Sequence, residues 1–155
     1  ILAGFWQIYQ GLAGANETLR LMTGILFATA GVIGAFVHGT FFYMGEYVKA
    51  LNLVNEDSQQ VIADMITRHR KLLIVTYAPL LILAIIASIL FSALVGMGAT
   101  HFPTWMAAVN PVTLTIAWML VKRALPQFVR DATEGAGFNI AYLIFFLCTT
   151  FTLWN

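Results

Sequence analysis

From Leu72 to Val121 the chain carries no Lys, Arg, Asp or Glu, while Arg68, Arg70 and Lys71 stand before this run and Lys122 and Arg123 after it. As one helix its 50 residues would reach about 75 Å at roughly 1.5 Å per residue. The hydrocarbon core of a bilayer is only about 30 Å thick and takes about 20 residues to cross. The run therefore reads as a helical hairpin that crosses twice and returns its basic ends to one face.

The same reading applied along the chain gives four uncharged spans, at about 21–44, 72–95, 103–121 and 136–154. Residues 1–9 resemble the last turns of an apolar helix, and with the opening at Ile1 this predicts a segment upstream. Between the first two spans, Asn55-Glu56-Asp57-Ser58 places capping and acidic side chains where a helix start wants them. A helix from about Asp57, with Val61, Ile62, Met65 and Ile66 on one face, meets no breaker before Pro79 and runs on into the second span. Gly96 to Pro103 supplies the turn, with two glycines and a proline suited to a first helical turn. Asp131-Ala132-Thr133-Glu134 resembles a capping box that introduces the fourth span. The predicted fold is all-α: a polytopic transmembrane helical bundle, one integral membrane domain over residues 1–155, with four full spans and an N-terminal remnant.

Composition agrees. The chain is 60% hydrophobic and 10% charged, with a mean hydropathy of +0.83, against about 25% charged residues in ordinary soluble domains. A net charge of +1 leaves no electrostatic footprint for nucleic acid. Loops 45–71 and 122–135 hold four and three of the basic residues and loop 96–103 holds none, so the basic loops are expected in the cytoplasm and the C-terminus outside. A bacterial inner membrane is the expected location. Trp6, Trp105 and Trp154 then fall at the outer boundary. The single cysteine, Cys148, cannot close an intrachain disulfide and reads as a packing thiol.

Candidate chemistry lies with polar groups inside the spans, which are costly in hydrocarbon and usually face a bundle interior or cavity. His38 leads. Counted from Lys49 it lies roughly 16 Å inside the cytoplasmic end at 1.5 Å per residue, on a helix that carries Gly24, Gly31, Gly34, Ala35 and Gly39. It reads either as a histidine packed at a helix crossing or as a proton-transfer or ligand group. Asn139 shares a stripe with Tyr142, Phe146, Thr149 and Thr150, with Leu143, Ile144 and Leu147 facing outward. By depth, His38, Thr76, Tyr77, Thr115, Trp118, Asn139 and Tyr142 fall in one inner half, and several are expected to converge. Asn110-Pro111 and Pro79 mark kinks, because proline frees the carbonyl four residues earlier. The candidate ligand-binding set is His38, Thr76, Tyr77, Asn110, Trp118, Asn139 and Tyr142.

No nucleophile with a matched base stands out, and Ser88 and Ser92 are expected to bond carbonyls one turn back on their own helix. His69 and His101 are expected in loops on opposite sides, so no paired ligand spacing suggests a metal; no cofactor is implied. The basic residues at 68–71 and 122–130 suit anionic headgroups, although the positive-inside rule alone accounts for them.

Residues 105–111 (WMAAVNP), 123–126 (RALP) and 135–146 (GAGFNIAYLIFF) together resemble the C-terminal half of a family of small bacterial polytopic membrane proteins classed only as a domain of unknown function. The resemblance implies a multispan helical fold in which Asn110, Pro111 and Asn139 matter, and it supplies no substrate or reaction. Three functions are weighed. The first is binding or transport of a lipid-like molecule in an intramembrane cavity, with membrane lipids as partners. The second is a structural or assembly subunit of an oligomer or complex, suggested by the small-residue face from Gly24 to Gly39. A membrane enzyme using His38 is the third, and the less favoured class.

Overall fold

Six α-helices and one 3₁₀ turn make up the computed structural model, which describes residues 2–154 and among them contains no strand. The helices are α1 (Leu2–Gly11), α2 (Glu17–Leu51), α3 (Glu56–Gly96), α4 (Pro111–Lys122), α5 (Gln127–Ala132) and α6 (Gly137–Trp154), with the 3₁₀ turn at Thr104–Ala108. Helices α2, α3 and α6 are long and apolar enough to cross a membrane.

The two longest helices, α2 and α3, start where the sequence provides a cap. The Asn16 side chain accepts from the Leu19 amide at 3.1 Å, and Glu17 follows at the positive end of the helix dipole. Asn55 accepts from the Ser58 amide at 3.2 Å, ahead of Glu56 and Asp57. As its pattern predicts, α3 runs unbroken from the polar segment into the apolar one, with Pro79 inside it.

The span expected from Pro103 differs. Pro103 precedes the 3₁₀ turn in an extended conformation, and the α-helix starts only at Pro111. Asn110 is its cap: the side chain accepts from the amides of Val112 and Thr113, both at 3.0 Å, while Thr113 Oγ1 accepts from the Asn110 amide at 3.2 Å. Proline in a first turn lacks an amide that would be unpaired anyway, so Pro111 begins a helix and kinks none. The 12 residues of α4 span about 18 Å at 1.5 Å per residue, short of the hydrocarbon core.

The expected capping box at Asp131–Glu134 is likewise replaced. Asp131 lies inside α5, Thr133 closes that helix, and Glu134 pairs with Lys122. Gly135, at φ +74°, then turns the chain into α6.

The chain forms two compact units. Unit 1 comprises residues 1–28 and 84–155 and holds the main core. Phe27, Phe91 and Phe145 are fully buried there, with ring centroids 5.1–6.4 Å apart, a spacing at which aromatic pairs attract beyond simple burial. Phe5 stacks on Phe27 at 5.7 Å, and Ile8, Leu12, Leu94, Phe102 and Met106 close the cluster. Gly11 admits the Phe102 ring, since a Cβ at that position would lie 2.2 Å from its Cζ. The His101 amide donates to the Gly11 carbonyl at 3.0 Å, so the turn after α3 seats on the end of α1. Gln7 Nε2 donates to Thr150 Oγ1 at 3.0 Å between α1 and α6, and the Thr150 hydroxyl donates to the Phe146 carbonyl at 2.7 Å. Trp118 lies against Gly137, where an added Cβ would stand 3.2 Å from its ring.

Unit 2, residues 29–83, is the antiparallel pairing of the second half of α2 with the first part of α3 around the turn at 52–55. Gly34 faces Leu80. His69 Nε2 lies 3.1 Å from the Thr40 carbonyl oxygen, and its ring meets Tyr47 edge-on at 5.6 Å. His69 is therefore a helix-pairing residue of α3, not the loop residue its neighbours suggested.

Candidate functional site

The residues singled out by polarity and depth divide between the two units, with His38, Thr76 and Tyr77 in unit 2 and Asn110, Thr115, Trp118, Asn139 and Tyr142 in unit 1. His38 is exposed on α2, with its ring 6.1 Å from Phe41 of the same helix. Thr40 is level with His69 in the antiparallel pair, which sets His38, two residues earlier, at about the level of Lys71. Asn139 is exposed near the start of α6, and the buried face of that helix runs instead through Ala141, Phe145 and Thr149. Leu143, Ile144 and Leu147 face outward as their spacing predicts. Depth alone could not place His38 and Asn139, because it gives no angle around the helix.

Thr76 turns its hydroxyl to the Leu72 and Leu73 carbonyls, and Thr115 to that of Pro111, both on their own helices. Tyr77 is half-buried in unit 2. Trp118 and Tyr142 are half-buried in unit 1, where Tyr142 packs against Phe5, Phe138 and Phe146. The Tyr142 hydroxyl and the Ser88 hydroxyl are buried without a hydrogen-bond partner.

Asn110 has a structural task. Its amide donates to Ser92 Oγ at 3.0 Å, and Ser92 Oγ donates to the Ala107 carbonyl at 2.6 Å. Ala107 lies in the 3₁₀ turn that precedes α4. Ser92, expected to bond within α3, supplies a donor to its carbonyl from across the turn.

A concave site does exist, elsewhere in unit 1. A groove of ≈ 340 Å³ runs between α1 and the first turns of α2. Leu2, Trp6, Leu21 and Ile25 form its rims, and Phe5, Gly24 and Ala28 its floor. Gly24 keeps the floor low: a Cβ there would meet Tyr9 at 3.4 Å.

A polar clamp closes one end. The Tyr9 hydroxyl donates to Glu17 Oε1 at 2.8 Å, and Arg20 donates to Glu17 Oε2 at 2.9 Å. Arg20 Nε also donates to the Tyr9 carbonyl at 2.8 Å, and the guanidinium lies 3.9 Å from the Tyr9 ring centroid, a cation–π contact. The Tyr9 hydroxyl first, and Arg20 after it, hold the Glu17 carboxyl below the usual carboxylate range. Trp6 stacks on Tyr9 at 5.4 Å, tying the clamp to the groove rim. The sequence held one signal for this arrangement, a lone arginine between two apolar segments with tyrosine and glutamate nearby. No group of three or more His, Cys, Asp or Glu among the described residues is placed to hold a metal ion.

Comparison with known families matches residues 1–155 to a family of unknown function (DUF6796). No curated protein and no solved structure matches the chain.

Proposed function

Because the chain belongs to DUF6796, a family of unknown function, we propose its role from geometry: an integral membrane protein that takes the acyl chain of a lipid or similar amphiphile in the groove between α1 and α2. The groove's ≈ 340 Å³ falls within the roughly 300–1,000 Å³ of small-molecule sites. Its lining is aliphatic and aromatic, and the Tyr9, Glu17 and Arg20 clamp fixes both walls at one end. This assignment replaces the His38 layer as the binding site. In the orientation that the basic segments imply, those segments face the cytoplasm of a bacterial inner membrane, and the clamped end of the groove and the C-terminus lie outside.

The test uses a phosphatidylcholine with a diazirine on its acyl chain, reconstituted with the full chain and photolysed. Labelling is expected within residues 2–9 and 21–28, and it should fall at least fivefold in Gly24→Leu, which fills the floor. Equal labelling of that variant, or labelling spread evenly over the spans, overturns the assignment.

The second reading, an assembly subunit, is favoured by one observation: His38 and Gly39 are exposed on α2, and a Cβ at Gly39 would meet nothing within 4 Å. Purification in mild detergent decides it, because a stable monomer without associated proteins removes this reading.

A further inference from the structure

We propose that the face of α3 carrying Arg68, Arg70 and Lys71 is a binding site for the headgroup of an anionic phospholipid. The contact of His69 with the Thr40 carbonyl and the Tyr47 ring fixes which way α3 is turned in unit 2. At about 100° per residue, from 3.6 residues per turn, Arg68, Arg70 and Lys71 occupy an arc centred opposite His69, away from α2. All three are exposed. The ion pairs among the described residues are Glu17 with Arg20, Glu46 with Lys49, and Lys122 with Glu134, so these three cations have no acidic partner. Asp64, one turn before Arg68 on the same face, accepts instead from Gln60 Nε2 at 3.1 Å.

The same arc then changes character within one turn. Leu72, Ile74 and Val75 are exposed and aliphatic, and Ile74 and Val75 fall inside the angular range of the cations. A phosphate held at Arg68, Arg70 and Lys71 therefore has its acyl chains laid along Ile74 and Val75. On α2, Phe41, Phe42 and Tyr43, exposed just beyond Thr40, lie at the same level, where interfacial aromatics belong. The positive-inside rule accounts for the side on which these cations lie. It does not bear on their having no acidic partner or on the exposed aliphatic residues one turn further along. A free anion would gain the cations but not these aliphatic residues, which is why the lipid is the assigned source.

Each basic residue near an anionic surface raises partitioning about fivefold, so three give roughly a hundredfold. The test titrates the full chain in detergent with phosphatidylglycerol and phosphatidylcholine and reads bound lipid by native mass spectrometry. The wild type is expected to prefer phosphatidylglycerol by at least tenfold. Arg68→Gln/Arg70→Gln/Lys71→Gln should lose the preference, whereas Lys122→Gln/Arg123→Gln should keep it. Each single Gln variant should lose part of it, which keeps the question decidable if the triple variant does not fold. A preference that survives the triple substitution overturns the proposal, as does equal loss in the Lys122 and Arg123 variant. Displacement of the lipid by inorganic phosphate at matched concentration assigns a free-anion site and overturns it too.

Discussion

Asn110 and Ser92, 18 residues apart, share a hydrogen bond of 3.0 Å between amide and hydroxyl, and through it the cap of α4 is joined to the last turns of α3. The Ser92 hydroxyl passes the connection on to the Ala107 carbonyl. Asn110→Ala removes both the cap and this link. Loss of a cap costs about 1 kcal/mol, and loss of one further hydrogen bond about 0.5–1.5 kcal/mol. The variant is expected to lose roughly 1.5–2.5 kcal/mol of stability on those two principles, read from chemical denaturation in detergent followed by circular dichroism. Asn110→Asp keeps the cap and loses only the donor to Ser92, so it should fall between the two. Equal stability of Asn110→Ala and wild type would contradict the capping geometry.

Two glycines give opposite forecasts. Gly11→Ala drives a methyl into the Phe102 ring, and overpacking of this kind costs about 1–3 kcal/mol. Gly39→Ala meets open space and gains from the higher helix propensity of alanine, by about 0.5–1 kcal/mol. Thermal melting of the two variants side by side should therefore separate them in sign. A destabilised Gly39→Ala would point to a neighbour seated on that face.

Gln7 and Thr150 tie α1 to α6. A double-mutant cycle with Gln7→Leu and Thr150→Val should return a coupling of about 0.6 kcal/mol, the average for polar contacts between membrane helices. A coupling indistinguishable from zero would mean that the apolar contacts of Phe5 and Ile8 hold α1 unaided.

The clamp responds to acid. The Glu17 carboxyl titrates below its ordinary range because Tyr9 and Arg20 donate to it. A depressed folded-state value means that its contribution is present above the ordinary carboxylate range and is lost as pH falls through the folded value. In a variant retaining Trp6 as the sole tryptophan, fluorescence should hold steady near neutrality and change on acidification below the ordinary carboxylate value of about 4.3. Glu17→Gln should show the acid-like spectrum at every pH. A wild-type transition that persists in Glu17→Gln would assign the response to another group.

Three of the four expected spans were legible, because a crossing needs a long uncharged segment and α2, α3 and α6 each contain one. The end of α3 was legible too, since Gly98 takes φ +73° in the turn that the hairpin required. The kink expected at Asn110-Pro111 is a helix start. Proline within a helix and proline at its first turn leave the same signature in sequence, and only the preceding 3₁₀ turn tells them apart. The exposure of His38 and Asn139 was not legible, because depth fixes height along a helix axis and says nothing of azimuth. The groove was invisible for a related reason: Leu2, Trp6, Leu21 and Ile25 are ordinary apolar residues, and concavity arises from Gly24 and Ala28 opposite α1.

Two tertiary hydrogen bonds, Ser92 to Ala107 and His69 to Thr40, end on main-chain oxygens. Such an acceptor is offered by any amino acid. Replacing the side chain at 40 or 107 therefore leaves the acceptor in place, whereas replacing that at 69 or 92 removes the donor. Scanning mutagenesis that compares 69 with 40, and 92 with 107, would recover them as one-sided dependences.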